Sequence, residues 1–275
     1  MTTALAFGTV RATPTPTARQ QWWVLSIRLI MPAIRSGEVL TSVLAPVVFT
    51  AGFYLPLQRI MALAGTGFSS YAQFMMPLVI LQAIAFTAIS AALRSATDAV
   101  SGLDRRFTSM PVGPLVPVAA RMSGSLLRLC IALVTALICG HVIGFRFWGD
   151  TAHTLGFLAF ALTTGVVLTF CADVVGTAIR SPESITQILG LPPLILGMLS
   201  TGLAPVGQYP HWVQPFVRNQ PVSQFAAVLR ASAGDSRDGA IPITSALIGP
   251  SLCWIVAVLV ICIPLAWRLN TRRDV

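Results

Sequence analysis

The residues of this 275-residue chain that could do chemistry in apolar surroundings are few. Asp173 and Arg128 fall within long apolar runs, where an ionised side chain is costly and is kept for function or for pairing. They either pair with one another or each snorkels to an interface. His141, His153 and His211 are scattered, without the H-x-x-x-H or H-x-x-E-H spacing of zinc hydrolases. Cys130, Cys139, Cys171, Cys253 and Cys262 also fall in apolar runs and form no metal-ligand spacing, so neither zinc nor disulfide chemistry is expected. No catalytic residue and no metal site is assigned. The phosphate-binding loop of an ATPase ends in Gly-Lys-Ser/Thr, and its lysine reaches the β- and γ-phosphates. This chain contains no lysine, so it binds no cofactor of that kind itself, and any work driven by ATP and Mg must use a partner subunit.

The elements that would position these groups are membrane helices. Hydrophobic residues make up 55% of the chain and charged residues 10%, a balance that leaves too little polar surface for a soluble core of this size. Mean hydropathy is +0.78. Six weakly charged windows have spanning length, at about residues 39–57, 74–93, 122–145, 155–179, 185–206 and 246–267. They are far too long for barrel strands, which need about 10 alternating residues. The expected fold is an all-α membrane protein with six transmembrane helices. Residues 1–18, rich in Thr and Pro, read as a loose cytoplasmic tail, and 19–275 as one transmembrane domain.

Arginine supplies all 18 basic residues and sets the orientation. With a cytoplasmic N-terminus, the inner side carries Arg11, Arg19, Arg28, Arg35, Arg94, Arg105, Arg106, Arg121, Arg128, Arg180, Arg268, Arg272 and Arg273. The outer side carries Arg59, Arg146, Arg218, Arg230 and Arg237, so the positive-inside rule favours cytoplasmic termini in a plasma-membrane protein. The net charge of +9 then faces anionic lipid and acidic partners; no soluble basic domain is present to hold nucleic acid.

Three segments outside the spans could carry function. Residues 19–38 repeat Gln21, Arg28 and Arg35 along one face and Trp23, Ile27, Ile30, Met31 and Ile34 along the other. This is the pattern of an interfacial helix in which Trp22, Trp23, Arg28 and Arg35 meet the headgroups, as anchor or as moving part. Pro32 should kink or interrupt it. Between spans two and three, Asp98, Asp104, Arg105 and Arg106 surround Phe107 and Met110 before a proline-rich turn. A charged rim around apolar side chains suits a docking surface, and a solvated loop is the bland alternative. Between spans five and six, prolines at 210, 215 and 221 divide the chain into two short amphipathic helices, starting at Pro210 and Pro221. Trp212, Phe216, Arg218, Phe225 and Arg230 would form an extracellular lid, or a plug, over the bundle.

Taken together, this order of elements resembles a permease of the ABC-2 exporter family. PHWVQPFVRNQPVSQFAAVLR (210–230) is similar to that family's P-x-W segment and its proline-led second helix ending in arginine. SMPVGPLVPVAAR (109–121) resembles its apolar-proline turn before span three. GEVL (37–40), RRFTSMP (105–111), GFRF (144–147) and FVRNQPVSQF (216–225) resemble the mycobacterial daunorubicin-resistance-type permeases within it. The resemblance implies a half-transporter working with a similar permease and two copies of a separate ATP-binding subunit. It also implies a coupling helix from Asp98 to Met110 and a connecting helix from Trp22 to Arg35. The cargo implied is a complex envelope lipid such as a phthiocerol dimycocerosate, or an anthracycline drug. Ser-Gly-Leu-Asp-Arg-Arg (101–106) replaces the family's usual acidic approach to the coupling turn. A membrane-embedded lipid-modifying enzyme, or a scaffold for envelope-lipid synthesis, is the alternative reading.

Overall fold

The computed structural model describes residues 17–35, 37–64, 70–102, 116–179, 181–234 and 243–271. Among them are nine α-helices and no strand. In chain order they are α1 (Ala18–Arg35), α2 (Glu38–Ala64), α3 (Tyr71–Val100), α4 (Val116–Ile143), α5 (Thr151–Ile179), α6 (Pro182–Met198), α7 (Gln214–Asn219), α8 (Pro221–Ala233) and α9 (Ser245–Thr271). A turn of 3₁₀ helix, Val206–Gln208, precedes α7.

The helices begin where local chemistry satisfies their first N–H groups. Ser70 caps α3 by accepting a hydrogen bond from Gln73 N, and Ser181 caps α6 by accepting from Ser184 N, with Pro182 following it. Asp150 does the same for α5 through His153 N (2.9 Å), and the hydrogen bond from the His153 side chain holds its carboxyl below the usual carboxylate range.

α3 is the hub. It is the most buried of the long helices: 72% of its spanning window is inside the fold, against 17% for α9. α2, α4, α5, α6 and α8 all pack on it. The main core gathers Met75, Met76, Val79 and Ile80 of α3 with Leu129 of α4, Phe157 of α5 and Phe225 and Leu229 of α8. A second cluster, Ala88, Ala92, Ala96, Ala172 and Ile185, lets α3, α5 and α6 approach closely. A Cβ on Gly176 would lie 2.1 Å from the Ala92 carbonyl oxygen, so at that point the α3 and α5 backbones touch.

Five helices, α2, α3, α4, α5 and α9, are long and apolar enough to cross a membrane. Large apolar side chains such as Leu40, Val48, Val142, Val260, Ile261 and Trp267 project outward from them. The fifth apolar run, expected over 185–206, is helical only to Met198, because Ser200, Thr201 and Gly202 form a turn stabilised by Ser200 Oγ with Gly197 O (2.6 Å) and Gly202 N (3.1 Å). Its helix has 17 residues.

Other details differ from the sequence expectation. The first short helix after the turn begins at Gln214 with Pro215 in its first turn, not at Pro210, so Trp212 sits in a turn. α1 is helical through position 32 without interruption. Its inward face is set by Trp22 and Ser26, with Trp22 Nε1 donating to Ser123 Oγ (3.0 Å) on α4, while Trp23, Ile27 and Met31 are exposed. The 98–110 segment is not a separate helix at its start, since α3 runs on to Val100 and Asp98 lies in its last turn.

Gly176→Val should force α3 and α5 apart, because the atom it meets is backbone and cannot rotate away. A loss of roughly 1–3 kcal/mol is expected, read as a lower Tm of the detergent-purified chain, with Gly190→Val as a control at an open position.

Candidate functional site

Two polar regions, one at each end of the bundle, contain the charged side chains buried within it. At the end where the 101–115 connection joins α3 to α4, α5 contributes Asp173, buried among apolar neighbours. Its carboxylate accepts from Arg121 of α4 (Nη2 to Oδ2, 3.3 Å; Nε to Oδ1, 3.4 Å) and from the Ser95 hydroxyl of α3. A forked guanidinium against a carboxylate is the geometry that best offsets the desolvation of both. In the same region, Glu38 at the start of α2 receives Arg94 of α3 and Arg128 of α4, the latter at 3.1 Å. Arg128 also donates to Ser125 Oγ (3.0 Å). The layer therefore holds three arginines and two carboxylates and ties α2, α3, α4 and α5 together.

Arg128 and Asp173 are both buried, as an intramembrane pair would be, but they are not bonded to each other. Arg121, one heptad earlier on α4 and so on the same face, takes Asp173, and Arg128 is drawn across to Glu38. The sequence signal for this was the run of Arg121 and Arg128 on one helix face, with Glu38 opening the first apolar window.

The other end is held by side chains that satisfy irregular backbone. Arg230 of α8 donates to Phe74 O (3.0 Å) and Thr201 O (2.9 Å) and lies 4.1 Å above the Phe74 ring. Burial pushes its guanidinium down to about 10, leaving it charged at neutral pH. Gln220 donates to Leu196 O (3.0 Å) and Leu199 O at the end of α6, and Gln73 exchanges two hydrogen bonds with the Arg146 backbone. Tyr209 donates to Met198 O (2.9 Å) and Ser200 O (3.0 Å). Gly234 ends α8 at φ +83°, where a Cβ would meet Gly149 N at 2.5 Å, and Trp148 N donates to Ala233 O. These glutamines and Tyr209 carried no periodic signal and were not legible in advance.

The sequence-selected residues are thus divided. Trp212, Phe216 and Arg218 are exposed, whereas Phe225 and Arg230 are buried in the bundle. Trp22 is half-buried on α4; Trp23 and Arg28 are exposed, and the side chain of Arg35 lies outside the described residues. Asp98 is half-buried, and Asp104, Arg105, Arg106, Phe107 and Met110 lie outside the described residues. Among the described residues no cluster of His, Cys, Asp and Glu could hold a metal ion. Two apolar cavities flank α5: one of about 280 Å³ between α1, α4 and α5 beside Trp22 and Thr169, and one of about 260 Å³ under α8.

Arg121→Met should leave the Asp173 carboxylate buried without its cation, at a cost of about 3–5 kcal/mol. Adding Asp173→Asn should recover at least half of that loss. A double-mutant cycle on thermal unfolding in detergent measures the coupling.

Residues 49–268 match the profile of the ABC-2 family transporter protein. The chain is 45% identical over 247 residues to the doxorubicin resistance ABC transporter permease protein DrrB of Mycobacterium tuberculosis (strain H37Rv), covering 88% of this chain and 86% of that protein. It is 29% identical to the probable doxorubicin resistance ABC transporter permease protein DrrC of the same strain, over 69% of this chain and 67% of that one. The daunorubicin resistance ABC transporter permease protein DrrB1 of Streptomyces coeruleorubidus is 26% identical over 58% of the chain and 56% of its own length. A helical bundle of membrane-crossing length, matched to one family along most of its extent, settles the affiliation: the chain belongs to the ABC-2 transporter family.

Proposed function

We propose that this chain is the permease subunit of an ATP-driven exporter that moves amphipathic envelope lipid, hydrophobic drugs such as anthracyclines, or both, out of the plasma membrane. The observation that carries the reading is the charge layer at the base of the bundle. It links four helices directly beside the two ends of the 101–115 connection, so a push on that connection reaches α2 and α5 through ion pairs and not through soft apolar contacts. The permease names of the relatives support the class, and their drug-resistance names support an apolar cargo. With no lysine to build a phosphate loop, the energy comes from elsewhere: two copies of a separate ATP-binding subunit holding ATP and Mg, acting on this chain and a second, similar permease.

The topology proposed is six crossings with both termini cytoplasmic, a single transmembrane domain over 19–275 and a tail over 1–18. A crossing by α6 is supported by its contacts, since Ile185 joins the alanine cluster near the Asp173 layer while Leu196 meets Gln220 at the opposite end. At 1.5 Å per residue its 17 residues rise about 25 Å, most of a bilayer core of about 30 Å. α1 is then the interfacial helix, offering Trp23, Ile27 and Met31 to lipid. α7 and α8 with the turn before them form the outer lid, of which Trp212, Phe216 and Arg218 are exposed. Closure of the ATP-binding dimer would press the segment from Asp98 to Met110 and rock the paired permeases between inward and outward states.

Gentle extraction should recover an ATP-binding subunit and a second permease with this chain, identified by mass spectrometry; a chain that stays alone across several detergents would overturn the reading. The double variant Arg105→Glu, Arg106→Glu should insert normally but lose about tenfold in ATP-dependent efflux, equivalent to ~1.4 kcal/mol of docking. Unchanged efflux would remove those residues from the coupling surface.

A further inference from the structure

The cavity under α8 carries a second observation. It lies between α3, α5, α6, α8 and α9, and of the side chains around it only the Thr164 hydroxyl and the Trp254 indole are polar. The indole is engaged, donating to Asn219 O (3.3 Å), which holds the ring as a side wall. The Thr164 hydroxyl is fully buried and has no partner. Thr87, Thr97 and Thr177, on the same helices, donate to the carbonyl four residues earlier, the usual refuge of a membrane threonine. Thr164 forgoes that bond, as does Thr169 five residues on, which lines the other cavity flanking α5. A hydroxyl removed from water and left unpaired is destabilising, and sites that tolerate it hold a bound group or water.

The cavity cannot close on itself easily. Pro192 and Pro193 of α6 form part of its wall, and their rings have no alternative rotamers with which to fill the space. Its volume also selects among guests. A cavity of ~150 Å³ admits one benzene, so about 260 Å³ admits roughly ten carbon atoms, too few for a fused polycyclic drug with its sugar.

We infer that this cavity is a binding site for an alkyl segment carrying one oxygen function, an ester, ether or alcohol, that hydrogen-bonds Thr164. The inference deepens the exporter reading, which it takes as its setting, by naming the chemistry of the guest. The alkyl segment comes from a bilayer phospholipid or from the exported lipid, and in either case enters past Trp254, which is partly exposed at the edge of the cavity.

The test uses the full chain in phosphatidylglycerol nanodiscs with 10-bromo-1-decanol, whose bromine quenches tryptophan. A saturable quench that disappears in Trp254→Phe is expected. Ala85→Trp, which fills the cavity, should abolish it, with Val258→Phe as a second filling variant if the first does not fold. Thr164→Val should weaken it three- to tenfold, the loss of one hydrogen bond, and bring it level with 1-bromodecane. Absence of a saturable quench in the wild type, or an unchanged quench in a folded filling variant, overturns the site. Equal affinity for the alcohol in Thr164→Val removes the oxygen from the proposed guest. Phosphatidylglycerol with a terminal diazirine on its acyl chain separates the sources: label on α5 and α9 assigns the bilayer, and decanol binding without label assigns the cargo. Because none of these readings needs ATP or transport, an efflux-competent protein without the quench refutes the site alone, whereas a quench in a protein that never transports refutes the exporter alone.

Discussion

The close approach of α3 and α5 at Ala92 and Gly176 is the constraint on which the rest depends. In a bilayer no hydrophobic force drives helices together, because lipid is as apolar as leucine, so association rests on packing and on polar bonds between helices. The backbone contact at Gly176 supplies the packing. It supplies the polar bond too, because Ser95 and Asp173 each lie about one turn from Ala92 and Gly176 and fall within the same crossing. Ser95 reaches Asp173 only because the axes are this near, and the carboxylate is then placed where Arg121 of α4 can fork onto it. Steric smallness at one level thus fixes charge pairing at the next.

The two ends solve different problems. At the base, formal charges are removed from water and must meet opposite charges or lose far more than they gain. At the other end the difficulty is backbone, since the chain leaves α6, turns, and re-enters as α7 and α8, freeing carbonyls that neither helix satisfies. Gln220, Tyr209 and Arg230 donate to them. Irregular backbone inside a fold is tolerated where protein supplies the missing hydrogen bonds, and here long-range side chains do so.

Much of the fold was legible in the sequence because hydropathy integrates over about 20 residues, and a window that long identifies a helix regardless of what it packs against. The ends of α6 and α7 were not, because they hang on single hydrogen bonds of Ser200 and on which of two prolines starts the helix. The presence of costly charges at 128 and 173 was readable, but the choice between burial and snorkelling to an interface was not. Their partners were not, since pairing depends on the rotation of α4 relative to α2 and α5. Likewise the hydrophobic stripe on α1 marked side chains that are exposed, while the face that grips α4 rests on one indole and one serine.

The base layer has a last property. All its cations are arginines, and guanidinium, unlike an ammonium or imidazole, keeps its proton throughout the range proteins experience. A bundle built with lysine or histidine at Arg94, Arg121 and Arg128 could shed positive charge inside the membrane and relax by neutralisation. This one has no such escape. Its ion pairs lose no proton from their cationic side, so on that side they rearrange by moving helices and not by neutralisation.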